Sequence, residues 1–166
     1  MIKRKIALIP LALSIFLMIL IFFFSSQSGE NSSELSIKAT RLIAQTIVLE
    51  FDTMHVQRQN TIVDELHGFV RKSAHFSIYT LLGLNVFFTA FFVVKCLKNQ
   101  IIIAMSVCTA YACLDEFHQL FREGREASIK DVLIDVCGVG CGITTGVIVI
   151  SIVFYIKSKN RQNGSL

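Results

Sequence analysis

Three stretches of this chain stay free of charge long enough to cross a bilayer, and no other feature limits the fold as strongly. A fourth, Ile101 to Leu114, is charge-free for fourteen residues before Asp115. Ile6 to Phe24 runs nineteen residues without a charged side chain, and Ser73 to Val94 runs twenty-two. A hydrocarbon core of roughly 30 Å needs about 20 mostly apolar residues in a helix. Spans are therefore expected at about 6–24, 73–94, 101–121 and 131–156, all within a single membrane domain covering 1–166. With 53% hydrophobic and 17% charged residues and a mean hydropathy of +0.61, the chain is neither an ordinary soluble domain nor a disordered one. The first run is longer than a secretory core of about 7–15 residues and ends in Phe22-Phe-Phe24 instead of small residues, so it reads as an uncleaved helix.

The fold class expected is all-α: a four-transmembrane-helix bundle with an amphipathic helical loop outside the membrane, spanning 25–72. In that loop Leu35, Leu42, Ile43, Ile47 and Leu49 recur at helical spacing, and Ser32 or Ser33 is placed to cap a helix over about 32–50. A second, shorter helix is expected from about Thr61 to Gly68, merging into the next span. Lys3, Arg4, Lys5, the loop with Lys95 and Lys98, and the tail with Lys157, Lys159 and Arg161 are short and purely basic. The other side carries as many Lys and Arg, diluted by every acid of the chain. Density of positive charge then puts both termini in the cytoplasm and the 25–72 loop outside. Positive charges flank the apolar runs without forming a stripe, which argues against nucleic acid as a partner. The odd number of cysteines, Cys96, Cys108, Cys113, Cys137 and Cys141, all in or beside apolar segments, reads as small packing residues.

The third run ends in Asp115-Glu-Phe-His-Gln-Leu-Phe121, where charge needs a reason. An ionised carboxylate deep in the bilayer costs on the order of 2.5–3.5 kcal/mol, so Asp115 is expected to face protein or water and to have a partner. Asp115, His118 and Gln119 are spaced i, i+3, i+4 and share a helix face, with Glu116 turned about 100° away. Arg71, His75 and Tyr79 lie four apart on the second span, with Lys72 beside them. Asp131 and Asp135 open the fourth span above Gly138, Gly142 and Gly146, a small-residue stripe that permits close helix contact. Arg122 and Arg125 overhang from the loop. His55 and His67 are read as solvated loop residues. The bland alternative is that these charges only neutralise one another, with Arg71 or Arg125 pairing Asp115 or Asp135.

The motifs Phe24-Ser-Ser-Gln27, Arg71-Lys-Ser-Ala-His-Phe-Ser-Ile-Tyr79, Asp115-Glu-Phe-His-Gln-Leu-Phe-Arg-Glu-Gly-Arg125 and Asp131-Val-Leu-Ile-Asp-Val-Cys-Gly138, in this order, resemble the VanZ-like family. The resemblance covers nearly the whole chain. It implies a small bacterial membrane protein of about four helices, in a family whose name-giving member is associated with teicoplanin resistance. His75, Asp115, Glu116, His118, Gln119, Arg125 and Asp131 fall on the family's motif positions, and Asp135 on one where asparagine is also common.

From these residues the expected function is an outward-facing polar pocket in the bacterial cytoplasmic membrane that engages an envelope lipid, a lipid-linked glycan, a cell-wall precursor or a lipoglycopeptide antibiotic. Arg71, Lys72 and Arg125 would meet an anion, and His75, Asp115, His118, Gln119, Asp131 and Asp135 would complete the binding site. The alternative is an enzyme modifying such a lipid or glycan, with Asp115 or Glu116 as base and His75 or His118 as acid. A small transporter or flippase is the third reading, which would require the four helices to assemble as a homo-oligomer. No cofactor motif is present, and no His-Glu-x-x-His or paired-cysteine metal pattern, so no metal site is expected.

Overall fold

In a computed structural model the protein is described over residues 5–125 and 127–163, without the side chains of Asn31 and Asn163. Lys3 and Arg4 of the amino-terminal basic cluster lie outside the described residues. Five α-helices follow in order: α1 Leu8–Ser25, α2 Gly29–Ile47, α3 Val56–Val93, α4 Leu97–Gln119 and α5 Ile129–Asn163, with a 3-10 turn at Phe51–Thr53. Four of them, α1, α3, α4 and α5, are long and apolar enough to cross a membrane. This is an all-helical membrane protein.

Its exterior carries the evidence for lipid. Ile9, Phe16, Ile19, Phe23, Leu81, Leu114, Ile152 and Phe154 are all exposed on the outside of the four long helices. A soluble monomer does not expose contiguous apolar faces on this scale. Cys108 is buried, but Cys96, Cys113, Cys137 and Cys141 are exposed and all five are free thiols. The packing role expected of the cysteines therefore holds for Cys108 alone.

The bundle is built on close contact between α3 and α5. A side chain on Gly142 would collide with the backbone carbonyl of Thr80, one on Gly138 with that of Phe76, and one on Gly146 with the ring of Phe87. Gly83 on α3 returns the contact against Val139. Glycine costs helix stability, about 1 kcal/mol relative to alanine, and here the loss is offset by backbones approaching as packing in lipid requires. On α4 the buried positions Ala104, Cys108 and Ala112 recur every four residues against Tyr79, Leu82, Val139 and Ile143. The Tyr111 hydroxyl donates to the Met18 carbonyl over 2.5 Å, tying α4 to α1. At the far end Gln100 donates to the Val94 carbonyl at 2.7 Å and closes the tight turn between α3 and α4.

Two helices outrun the bilayer. At 1.5 Å per residue the 38 residues of α3 extend about 57 Å, so the segment expected as a short helix at Thr61–Gly68 is the first part of one continuous rod. His55 caps it, its Nδ1 accepting the Gln57 N–H at 3.4 Å. The 35-residue α5 likewise continues past Ile156 at the other end. Helix α2 begins at Gly29, earlier than Ser32, because the Gly29 N–H is taken by the Glu123 carbonyl at 2.9 Å. Gly29 lies directly against Gly124, whose φ of 71° is left-handed, the region glycine enters without steric cost.

The apolar side of α2 is divided. Ile37, Ala44 and Val48 pack with Phe51, Ile62, Val63 and Leu66 in a second core on the projecting part of α3. Leu35, Leu42, Ile43 and Ile47 remain exposed. On its polar flank Lys38 bonds Glu34 at 2.7 Å, which holds the Glu34 carboxyl below its ordinary value.

Candidate functional site

Three of the four spans, α3, α4 and α5, bring ionisable residues to one level at the end of the bundle where α2 lies. Helix α4 supplies Asp115, Glu116 and Gln119, all buried, and α5 supplies Asp135, 2% exposed. Helix α3 faces them with His67, Arg71, Lys72 and His75 around a cavity of about 150 Å³, completed by Gly68, Glu116, Gln119, Asp131, Ile134 and Asp135. One ordered water needs only about 10–15 Å³ of such space.

His75 Nδ1 stands 3.7 Å from Asp135 Oδ1. Gln119 donates to Asp115 Oδ2 at 3.1 Å. The opposite oxygen, Asp115 Oδ1, has no hydrogen-bond partner among the described residues, nor have Asp135 Oδ1, the Tyr79 hydroxyl and Ser25 Oγ. Within 4 Å the ion pairs among the described residues are Lys38 with Glu34 and His75 with Asp135. Neither Arg71 nor Arg125 neutralises Asp115 or Asp135 there, so the purely structural reading of the cluster lacks the ion pairs it requires. Buried polar atoms are normally satisfied. Of these residues Asp135 lines the polar cavity, whereas Asp115 and Ser25 line a neighbouring one.

A second cavity, of about 300 Å³, lies on the other side of Arg71 and His75 between α1, α2 and α3. Its walls are largely apolar, with Ser25, Asp115 and Arg125 at its edge. Arg71 and His75 line both cavities.

Helical geometry explains how the residues of α4 are shared out. At about 100° per residue, Gln119 lies about 40° from Asp115 and Glu116 about 100° to the same side, whereas His118 lies about 60° to the other. The inward face is thus centred on Gln119 with a carboxylate on each flank. Glu116 Oε1 accepts the Ser128 N–H at 2.6 Å, capping the start of α5. His118 turns to α1: its Nε2 is 3.2 Å from Ser26 Oγ and 3.2 Å from the Arg122 guanidinium, and its ring stacks on Phe22 with centroids 4.8 Å apart. His118 lines neither cavity. Arg125 donates to the Phe24 carbonyl at 3.1 Å. Burial, then the proximity of Arg71, lowers the Arg125 guanidinium from its usual value.

His67 is not the solvated loop histidine expected. It lies on α3 and lines the polar cavity, its Nε2 buried with no hydrogen-bond partner among the described residues. The signal was present, since His67, Arg71 and His75 continue the four-residue spacing one turn back, provided the helix already runs there.

A family model described as VanZ/LLP1 matches residues 10–155. The chain belongs to the VanZ/LLP1 family. All of the site residues lie inside the matched region of this VanZ-family chain. No match is found among curated proteins or among solved structures.

Proposed function

We propose that this VanZ-family membrane protein binds an amphiphilic molecule of the bacterial envelope, a lipid, a lipid-linked glycan or a lipoglycopeptide of the teicoplanin kind, at a polar cavity open to the cell exterior. In this reading both termini are cytoplasmic and α2 lies outside. The observation that carries it is the buried carboxylate of Asp135, whose Oδ1 lacks a hydrogen-bond partner among the described residues, in the wall of a cavity with Arg71, Lys72 and His75 on the facing side. Asp115, with an open oxygen of its own, lines the adjoining cavity. Carboxylates accept from hydroxyl, amide or ammonium groups, and arginine forks onto phosphate or carboxylate. A headgroup carrying both kinds of group satisfies both walls. Arg125 and Asp131 extend the same surface; His118 supports it from behind through Ser26 and Arg122.

An enzymatic reading has one specific observation in its favour. His75 stands beside Asp135 at the cavity wall, an arrangement that orients an imidazole for proton transfer. Asp115 is the second candidate acid or base. Glu116, already bonded to Ser128, is the weaker choice. Transport or flipping would require further helices, supplied by a second copy of the chain.

Lipid and cell-wall profiling of a deletion strain tests the proposal. The expected result is a changed level of one lipid-linked species, restored by the wild-type gene and not by Asp135→Asn or Asp115→Asn. An accumulating precursor that both variants fail to clear would favour the enzyme. Identical profiles in deletion and wild type, under envelope stress as well as without it, would overturn both.

A further inference from the structure

We propose that the apolar cavity between α1, α2 and α3 holds an acyl chain of a glycerophospholipid whose phosphate bridges Arg71 and Arg125. This rests on the reading that the protein binds an envelope amphiphile, and it names the class.

Three observations converge. Most of the cavity wall is apolar, formed by Ile21, Phe24, Leu35, Val70, Ala74 and Ile78, a surface that suits hydrocarbon. Arg71 and Arg125 line the same cavity, and Arg125 feels the charge of Arg71 and, more weakly, the opposite charges of Asp115 and Glu116. Neither has a carboxylate within 4 Å among the described residues, and Arg125 Nε is buried without a hydrogen-bond partner. Two adjacent guanidiniums repel unless an anion lies between them, and phosphate matches their planar donors.

The third observation lies at the inner edge. Asp115 is 5% and Ser25 4% exposed, both line the cavity, and the Ser25 hydroxyl lies beside the Asp115 carboxyl, although among the described residues neither Asp115 Oδ1 nor Ser25 Oγ has a hydrogen-bond partner of good geometry. An acceptor oxygen there can take a further donor, which a headgroup hydroxyl or ammonium supplies two carbons beyond the phosphate ester oxygen. Apolar wall, paired cations and unsatisfied acceptor thus follow the order of chain, phosphate and headgroup in a glycerophospholipid. Because Arg71 and His75 are shared with the polar cavity, the headgroup reaches His75 and Asp135 from this position. The amphiphile's two halves would occupy the two cavities.

The test places the full-length protein in detergent micelles free of phospholipid and adds a small fraction of phosphatidylglycerol with a photoreactive group in one acyl chain. Labelling is expected to concentrate on residues 32–39 and 70–78. Charge-assisted contacts are worth about 1.5–3 kcal/mol, so Arg71→Gln with Arg125→Gln should lower this labelling about tenfold or more. Ala39→Trp, at an exposed position on α2 that lines the cavity, should lower it by filling the space, without touching any buried packing. Glu34→Gln, on the charged flank of α2, should leave it unchanged. Unlabelled phosphatidylglycerol should compete and inorganic phosphate should not. Labelling spread evenly over the exterior, or unchanged in both the arginine and Ala39→Trp proteins, would overturn the inference, as would full competition by inorganic phosphate, which would indicate an anion site without a lipid. If Ala39→Trp restores the deletion strain while Asp135→Asn does not, only this inference falls. If both restore it, the broader proposal falls as well.

Discussion

His75 and Asp135 face each other 3.7 Å apart across the α3–α5 contact, one turn from where Gly138 meets the Phe76 carbonyl. The pair joins the most tightly packed seam of the bundle to its polar cavity. Asp135 is 2% exposed while His75 reaches the cavity from a side chain one-third exposed. An acid so buried is held for what stands next to it.

Asp135→Asn keeps the size of the side chain and removes its charge. Losing one charge-assisted contact at a ligand site costs about 1.5–3 kcal/mol, so ligand affinity is expected to fall about 10- to 100-fold while the folded yield stays near wild type. Binding measured in detergent or nanodiscs against the lipid class found by profiling checks this. Unchanged affinity would remove the pair from the site.

Glu116 serves a different purpose from the one its neighbours suggest. Its bond to the Ser128 N–H caps α5, and losing a cap costs about 0.5–2 kcal/mol. Glu116→Ala should lower the thermal midpoint, and Glu116→Gln, which keeps an acceptor oxygen, should restore most of it together with activity. If Glu116→Gln unfolds nothing yet abolishes activity, proton transfer at this position is required and the capping role is not the main one.

Gly142 and Gly140 are two positions apart and should respond oppositely. A Cβ at Gly142 meets the Thr80 carbonyl, whereas one at Gly140 meets only the end of Met105 at 3.9 Å. Overpacking costs typically about 1–3 kcal/mol and more against backbone. Gly142→Leu should collapse the yield of monodisperse protein in size-exclusion chromatography, and Gly140→Ala should leave it intact.

The spans were readable because long charge-free runs admit one physical solution in lipid, a helix with every backbone group satisfied internally. The glycine stripe at 138, 142 and 146 was readable for a related reason, since its spacing puts all three on one face. What escaped was set by which neighbour each face meets. His118 and Glu116 lie on opposite sides of Asp115 on a helical wheel, and only the positions of α1 and α5 decide that one stacks on Phe22 and the other caps Ser128. His67 escaped because it was read with the polar loop, although the helix expected over 61–68 and merging into the span puts it one turn before Arg71. The meeting of Gly29 with Gly124 joins segments far apart in sequence and leaves no local trace. Four of the five cysteines point outwards, because in lipid an apolar exterior accepts them as readily as a core does.

All of the functional reading depends on the polar cavity opening to the cell exterior. Gly68 lines that cavity and has open space where a side chain would go, whereas Lys98 lies in the first turn of α4 at the opposite end. In a background freed of the native cysteines, Gly68→Cys should react with a membrane-impermeant maleimide on intact cells, and Lys98→Cys only after permeabilisation. The reverse pattern would place the cavity in the cytoplasm and contradict binding of an exterior envelope molecule at this site.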